Sequence, residues 1–339
     1  MYCLILIEKP LKIKNTLLLL LVFSFSCASV FSQQGKVDPT FNTYDDGLLG
    51  DGFDNTVRTL SVQDDGKLIV GGDFLNFNGV ATPYLCRLLP DGSKDVSFSL
   101  GTGFNNKVYA SLLQPDGKIL VAGSFTQFNG TAVGRLVRLN PDGSRDSSFT
   151  SSPGATNSII YDMALQSDGS IFLVGSFTNF NGTAVNRIVK ILPNGAVDTS
   201  FVIGSGASGL IEKIALQSDG KIIIGGGFTS FNGSSVGKIA RLNTDGTLDT
   251  SFITGVGLDD NVSAIGVQAD GKIILGGSFT TYNGNVANKI VRVNTDGTLD
   301  ASFASGTGFN SGVVETIKMN SSGAFMLGGS FSGTYNGLA

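Results

Sequence analysis

Three observations predict an all-β repeat fold. The phrase Asp-x-Ser/Thr-Phe, or a close variant, begins at Asp38, Asp95, Asp146, Asp198, Asp249 and Asp300, in steps of 57, 51, 52, 51 and 51 residues. Within each copy, short apolar runs alternate with Asp-Gly and Asn-Gly pairs, which tolerate the positive φ of tight hairpins. No segment shows helical periodicity. Units of this length bury their apolar surface against neighbours, and four short antiparallel strands per unit suit sheets ringed about an axis. The prediction is a β-propeller of about six four-stranded blades, the last incomplete. A β-solenoid is the alternative, although its coils are usually much shorter.

The fifth copy shows the reasoning for each element. Val262 to Val267 alternates apolar with small or polar residues and reads as a first strand. Gln268-Ala269-Asp270-Gly271 is a turn. Lys272 to Phe279 is a nearly continuous apolar run, as expected of a strand covered on both faces. Tyr282-Asn283-Gly284 opens a second reversal, Lys289 to Asn294 gives a third strand, and Asp296-Gly297 turns into a short fourth strand from Thr298 to Phe303.

Aromatic residues recur in phase with these elements. Phe41, Phe98, Phe149, Phe201, Phe252 and Phe303 close the Asp-x-x-Phe phrase, while Phe74, Phe125, Phe177, Phe228, Phe279 and Phe331 follow the second strand. An aromatic present in every copy is most simply a contact between blades, with Gly-Gly pairs such as Gly276-Gly277 allowing close approach. Cys86 aligns with Val137, Val189, Ala240 and Val291, so it reads as a small buried hydrophobe.

The termini carry separate signals. Lys9, Lys12 and Lys14, the apolar run Leu17 to Phe25, and Val30-Phe31-Ser32 read as a secretory leader over residues 1–32. Residues 33–339 then form a single repeat domain. Val37 to Phe41 resembles the fourth strand of a blade whose other strands lie elsewhere, and the sixth copy ends at Ala339 without a third strand. The N-terminal strand is therefore expected to complete the last blade. Beyond Ser32 the chain carries 20 basic and 26 acidic residues and no basic run, which argues against nucleic-acid binding. Cys86 is the only cysteine there, so no intrachain disulfide is expected.

The string Gln-x-Asp-Gly-Lys-Ile-Leu-x-x-Gly-Ser-Phe-Thr-x-Phe-Asn-Gly from Gln114 to Gly130, followed by Arg-Leu-Asn-x-Asp-Gly-x-x-Asp-x-Ser-Phe from Arg138 to Phe149, resembles the delta-60 repeats of bacterial secreted proteins. The similarity covers roughly Val37 to Gly337. It implies a β-propeller-like domain in a surface or exported protein, with no established biochemical activity. Many similar proteins from Bacteroidetes carry a C-terminal sorting domain, and none is visible in this sequence.

Residues present in every copy explain the fold most economically, so single-copy residues are where function is sought. The sequence contains no His, which excludes His-based acid/base catalysis, His-containing zinc sites and Ser-His-Asp triads. Glu212 and Glu315 are the only glutamates after the leader. Asn-x-Asp-Gly-x-x-Asp recurs with Asp142 and Asp146, Asp245 and Asp249, and Asp296 and Asp300, an oxygen spacing that resembles part of a calcium loop. The preferred reading is a hairpin turn whose second Asp pairs with Arg87, Arg138, Arg241, Arg292 or Lys190 on the third strand; calcium is the alternative. Asn129-Gly130-Thr131, Asn181-Gly182-Thr183 and Asn232-Gly233-Ser234 match a glycosylation sequon but sit where a tight turn already favours Asn-Gly. Asp45, Asp46, Asp51 and Asp54 form an acidic loop in the first copy, the best candidate for a cation or partner site.

The sequence therefore predicts a secreted or cell-surface, non-enzymatic binding scaffold. Its expected partner is an unidentified protein or glycan, with no nucleic acid, no cofactor, no transmembrane segment after the leader, and a monomeric state. The alternatives are a propeller enzyme acting on polysaccharide through axial carboxylates, and a structural module of a larger exported protein.

Overall fold

The computed structural model describes residues 5–7, 41–42, 51–150, 153–303, 308–320 and 323–335. Those residues are all strand, turn and loop, with no helix among them. In the fifth copy the first strand is Val262–Val267, the second Ile273–Gly277 and the third Ile290–Val293, joined as one antiparallel sheet in that order. The first turn places Val267 opposite Ile273, and Gly271 takes a φ of 80° within it. Thr281–Tyr282 and Asn285–Val286 form a two-residue hairpin across Asn283 and Gly284, both at positive φ as a type I′ turn requires. The fourth chain pass lies beside the third strand, where it makes one bridge, Val293 with Leu299.

The same arrangement recurs with first strands Val57–Val62, Val108–Leu113, Ile160–Leu165, Ile211–Leu216 and Val314–Met319. Each second strand pairs only within its own copy, or with the N-terminal segment noted below; a solenoid would instead pair successive copies. Second strands such as Ile222–Gly226 are buried throughout, because the neighbouring sheets cover both faces.

Copies pack face to face. Ile69 and Leu85 of the first copy share one core with Val108, Ile119 and Val121 of the second. Phe98, Phe149, Phe201 and Phe252 each join the core of the following copy, as the phrase-ending aromatics were expected to do. Each of those below Arg87, Arg138 and Arg241 also lies under a guanidinium, 4.5–4.8 Å from its ring centroid. A second link runs through the backbone after each phrase. The amides of Ser99, Thr150, Val202 and Ile253 donate to the carbonyls of Asp142, Asn194, Asp245 and Asp296 in the next copy.

Of the expected closing strand Val37 to Phe41, only Phe41 is described, together with Asn42. The Asn42 amide donates to Asp91 O at 2.7 Å, the same link that the other phrases make. The backbone of Ile5–Ile7, from the segment read as leader, runs antiparallel to Phe325–Leu327 in the place of a third strand. Within the sixth copy, Ser332–Tyr335 pairs instead with Phe309–Ser311.

Candidate functional site

Every first strand carries one irregularity at the same place. Its register with the second strand slips between Val57 and Thr59, Val108 and Ala110, Ile160 and Asp162, Ile211 and Lys213, Val262 and Ala264, and Val314 and Thr316. The extra residue is therefore Arg58, Tyr109, Tyr161, Glu212, Ser263 or Glu315. A bulge leaves its residue outside the ladder and re-aims the side chain. All six side chains border one cavity of about 650 Å³ on the axis, to which Lys213, Thr316, Gly328 and Gly329 also contribute.

Neighbouring ring residues touch. The Arg58 guanidinium sits 4.6 Å from the Tyr109 ring centroid, and Tyr109 meets Tyr161 edge to face at 5.2 Å. Asn261 donates to Glu212 Oε1 at 3.1 Å, and Ser263 also bonds that carboxylate. Burial nevertheless dominates and pushes the Glu212 carboxyl above its usual range. Asp162, beside Tyr161, is raised for the same reason, while nearby Lys213 opposes the shift.

Arg58 is held by Asp73, which accepts from its Nε and Nη2 at 2.5 and 2.7 Å and from Lys107 Nζ at 2.8 Å. The Asp73 hydrogen bond leads the causes that raise the Arg58 guanidinium further, with Glu315 adding a weaker attraction. Asp73 and Lys107 are single-copy residues: Ser124, Ser176, Gly227, Ser278 and Ser330 stand where Asp73 does.

The carboxylates singled out from the sequence are engaged elsewhere. Asp146 accepts from Arg138 at 2.8 Å and lies 3.0 Å from Lys118 Nζ. Asp249 receives Arg241 and Lys221, and Asp300 receives Arg292 and Lys272, all at 2.7–2.8 Å. Burial alone would raise these carboxyls, but hydrogen bonds from the cations and from Ser148, Ser251 and Ser302 outweigh it and hold them well below the usual range. The expected Asp–Arg pairing is thus present, with a lysine added. Asp142, Asp245 and Asp296 each cap the turn they belong to, through the amide and hydroxyl of Ser144, Thr247 and Thr298.

In the acidic loop, Asp54 accepts from the amides of Leu75 and Asn76 at 2.8 and 3.0 Å. Asn105, Asn157, Ser208 and Asp259 make the equivalent bond in copies two to five, so Asp54 serves the hairpin. Asp51 lies on the approach to that hairpin, and Asp45 and Asp46 fall outside the described residues. Among the described residues no group of three or more His, Cys, Asp or Glu side chains is placed to hold a metal ion. The sequon residues Asn129, Asn181 and Asn232 accept amide hydrogens from Gly103, Gly154 and Ser205, which supports their turn role. Buried Cys86 pairs with Val70 exactly where Val137, Val189, Ala240 and Val291 pair in their copies.

Residues 63–98, 114–149, 166–201, 217–252 and 268–303 match the β-propeller family described as a domain of unknown function, DUF5122. The chain belongs to that family. The DUF5122 propeller has no match among curated proteins. Among solved structures it resembles the extracellular domain of a putative one-component system from B. thetaiotaomicron, with 12% identity over 81% of this chain and a TM-score of 0.51. The DUF5122 chain spans 33% of that protein. Virginiamycin B lyase from Staphylococcus aureus is similar at 17% identity over 82% of this chain and 97% of its own, with a TM-score of 0.45. A gluconolactonase from Xanthomonas campestris is similar at 11% identity over 84% and 88%, also at 0.45. At these identities the likeness concerns the fold alone.

Proposed function

We propose that this chain is an extracellular, non-enzymatic propeller that binds the end of a neutral glycan in its axial cavity. One observation carries the reading: the six bulged positions hold Arg, Tyr, Tyr, Glu, Ser and Glu, while the positions that build the sheets repeat. The cavity lies within the usual range for ligand sites, about 300–1,000 Å³. Its lining sets Arg58 and Lys213 against Glu212 and Glu315, a balanced charge that favours an uncharged, hydroxyl-rich ligand over an anion. Tyr161 supplies an aromatic surface for a sugar ring, and the carboxylates accept hydroxyl hydrogens. Extracellular placement is supported by the basic start, apolar run and small-residue stretch of residues 1–32, and the finer kinship with exported delta-60 repeats by the strings at Gln114–Gly130 and Arg138–Phe149.

A glycan array followed by titration calorimetry tests this reading. Neutral oligosaccharides should bind, and Tyr161→Ala or Glu212→Gln should weaken binding at least about tenfold, roughly 1.4 kcal/mol. A blank array, or variants that bind like the parent, would overturn it. The presence of Glu212 and Glu315 on one cavity favours a second reading as a glycan-cleaving enzyme, since such chemistry needs two carboxyl groups flanking the bond to be cut. Release of reducing ends that Glu212→Gln abolishes would select it.

A further inference from the structure

The junction between the first and second copies departs from the later ones at four neighbouring positions. Val133, Val185, Val236 and Ala287 pack into the cores where Thr82 stands in the first copy. Val197, Leu248 and Leu299 pack likewise at the position of Lys94, which is Arg145 in the second copy. Pro83 replaces Gly134, Asn186, Gly237 and Asn288, and Val96 replaces Ser147, Thr199, Thr250 and Ala301. One junction thus carries a hydroxyl and an ammonium where most of its equivalents are closed by apolar side chains.

The same junction is left open. At the later ones, the amides of Ala155, Ala207, Leu258 and Phe309 donate to Gly134 O, Asn186 O, Gly237 O and Asn288 O. Among the described residues no such bond joins Phe104 to Pro83, whose carbonyl accepts from Leu85 of its own copy instead. A β-carbon at Gly154, Gly206, Gly257 or Gly308 would come within 2.3–2.5 Å of the preceding copy, but at Gly103 the nearest atoms are the Pro83 ring and carbonyl at 3.8 Å. A cavity of about 310 Å³ occupies the gap. Leu85, Phe98 and Leu100 wall it, with Val96, 89% exposed, as an apolar lip. Its polar side is Thr82, only 3% exposed, whose hydroxyl donates to Val80 O at 2.9 Å and accepts from Lys94 Nζ at 2.8 Å. Lys94 Nζ also donates to Ala81 O at 3.2 Å, which leaves one ammonium hydrogen for a ligand. Unlike Lys67, Lys107 and Lys118, it meets no carboxylate among the described residues. Asp95, on the same cavity, is engaged by Arg87 at 2.9 Å.

We propose that this junction is a second binding site, which takes a small monocarboxylate with an apolar body. The carboxylate supplies the counter-charge that the half-buried ammonium lacks, through a charge-assisted hydrogen bond. The apolar body lies against Leu85, Phe98 and Leu100 and removes that surface from water. A phosphate would bring more charge than one ammonium offsets, and nothing to cover those walls. The volume lies at the lower end of the usual range for ligand sites, about 300–1,000 Å³, which suits one such molecule. The site is independent of what the axial cavity binds, because the two cavities share no lining residue.

Titration calorimetry of the full chain with benzoate and hexanoate tests it. Each should bind once per chain, at least about tenfold tighter than benzamide, hexanamide or inorganic phosphate. Thr82→Val combined with Lys94→Leu places here the side chains that Val236 and Leu248 supply in the fourth copy. That variant should melt no lower than the parent yet lose at least about tenfold in carboxylate affinity. Lys94→Gln, which keeps a donor for Thr82 but no charge, should show the same loss. Tyr161→Ala, in the axial cavity, should leave carboxylate binding unchanged. Amides or phosphate that bind as tightly, Lys94 variants that bind like the parent, or no saturation by about 10 mM would overturn the site. So would loss of binding in Tyr161→Ala, which assigns the carboxylate to the axial cavity.

Discussion

Replacing Asp249 by Asn should be among the most damaging single changes in the scaffold. Asp249 and Arg241 are both 7% exposed and joined at 2.7 Å, with Lys221 on the same carboxylate oxygen. Arg241 also donates to Thr295 O of the next turn and to Ser251 Oγ, and stacks on Phe252. Asparagine keeps the shape but leaves the guanidinium buried without its counter-charge, a change that costs about 3–5 kcal/mol in comparable pairs. The partial exposure of Lys221 argues for the lower end, about 3 kcal/mol. At roughly 2–4 °C per kcal/mol for chains of this order of size, the melting temperature should fall by about 6–12 °C. Asp296→Asn is the control. Its carboxylate is exposed and caps one turn, which an amide oxygen still does, so the change should stay within about 0.5 kcal/mol. Calorimetric melts of both variants at neutral pH, with and without added salt, decide the matter. Equal shifts for the two, or an Asp249→Asn effect that salt abolishes, would refute the claim that the buried node dominates.

Two further outcomes follow from the charges and the thiol. The Asp146, Asp249 and Asp300 carboxyls are held below the usual carboxylate range in the fold, so the stability they contribute is complete above about pH 5 and is lost as pH falls below about 4. Chemical denaturation midpoints should therefore plateau toward neutral pH and drop steeply in acid, and a flat profile down to about pH 3 would contradict the assignment. Burial pushes the Cys86 thiol up to about 12, so a thiol reagent at mildly alkaline pH should leave it unmodified in the fold and label it on denaturation.

Much of the scaffold was legible because its signals are local and repeated. Val262–Val267 is read from alternation alone, with the same bounds in the structure. The fourth pass was harder. Thr298 to Phe303 has strand-like composition, but the Asp300 side chain accepts from the Ser302 amide and hydroxyl, which turns the backbone after the single bridge at Leu299. The Asp–Arg node was readable because both partners recur at fixed spacing. In the acidic loop, the hairpin role of Asp54 is visible only beside its counterparts Asn105, Asn157 and Ser208, which accept the same amide with a short polar side chain.

The axial ring was missed for a geometric reason. Arg58, Tyr109, Tyr161 and Ser263 look like ordinary outward positions of an alternating strand, and only the register slip turns them inward. Glu212 and Glu315 drew notice as rare glutamates without being placed together. A usable signal was present: the residue after each opening Val or Ile, which is Arg58, Tyr109, Tyr161, Glu212, Ser263 or Glu315, varies in chemical type among the copies while that opening position stays β-branched.

Because each bulged residue stands off the ladder, swapping its side chain leaves the pairing of Ile265 with Leu275, and its equivalents, undisturbed. Six sites facing the same void can thus be rewritten without changing that register, although contacts such as Arg58 with Tyr109 and Asp73 couple some of them. Relatives could drift in what they recognise while keeping one melting behaviour, so preference and durability are free to be inherited separately.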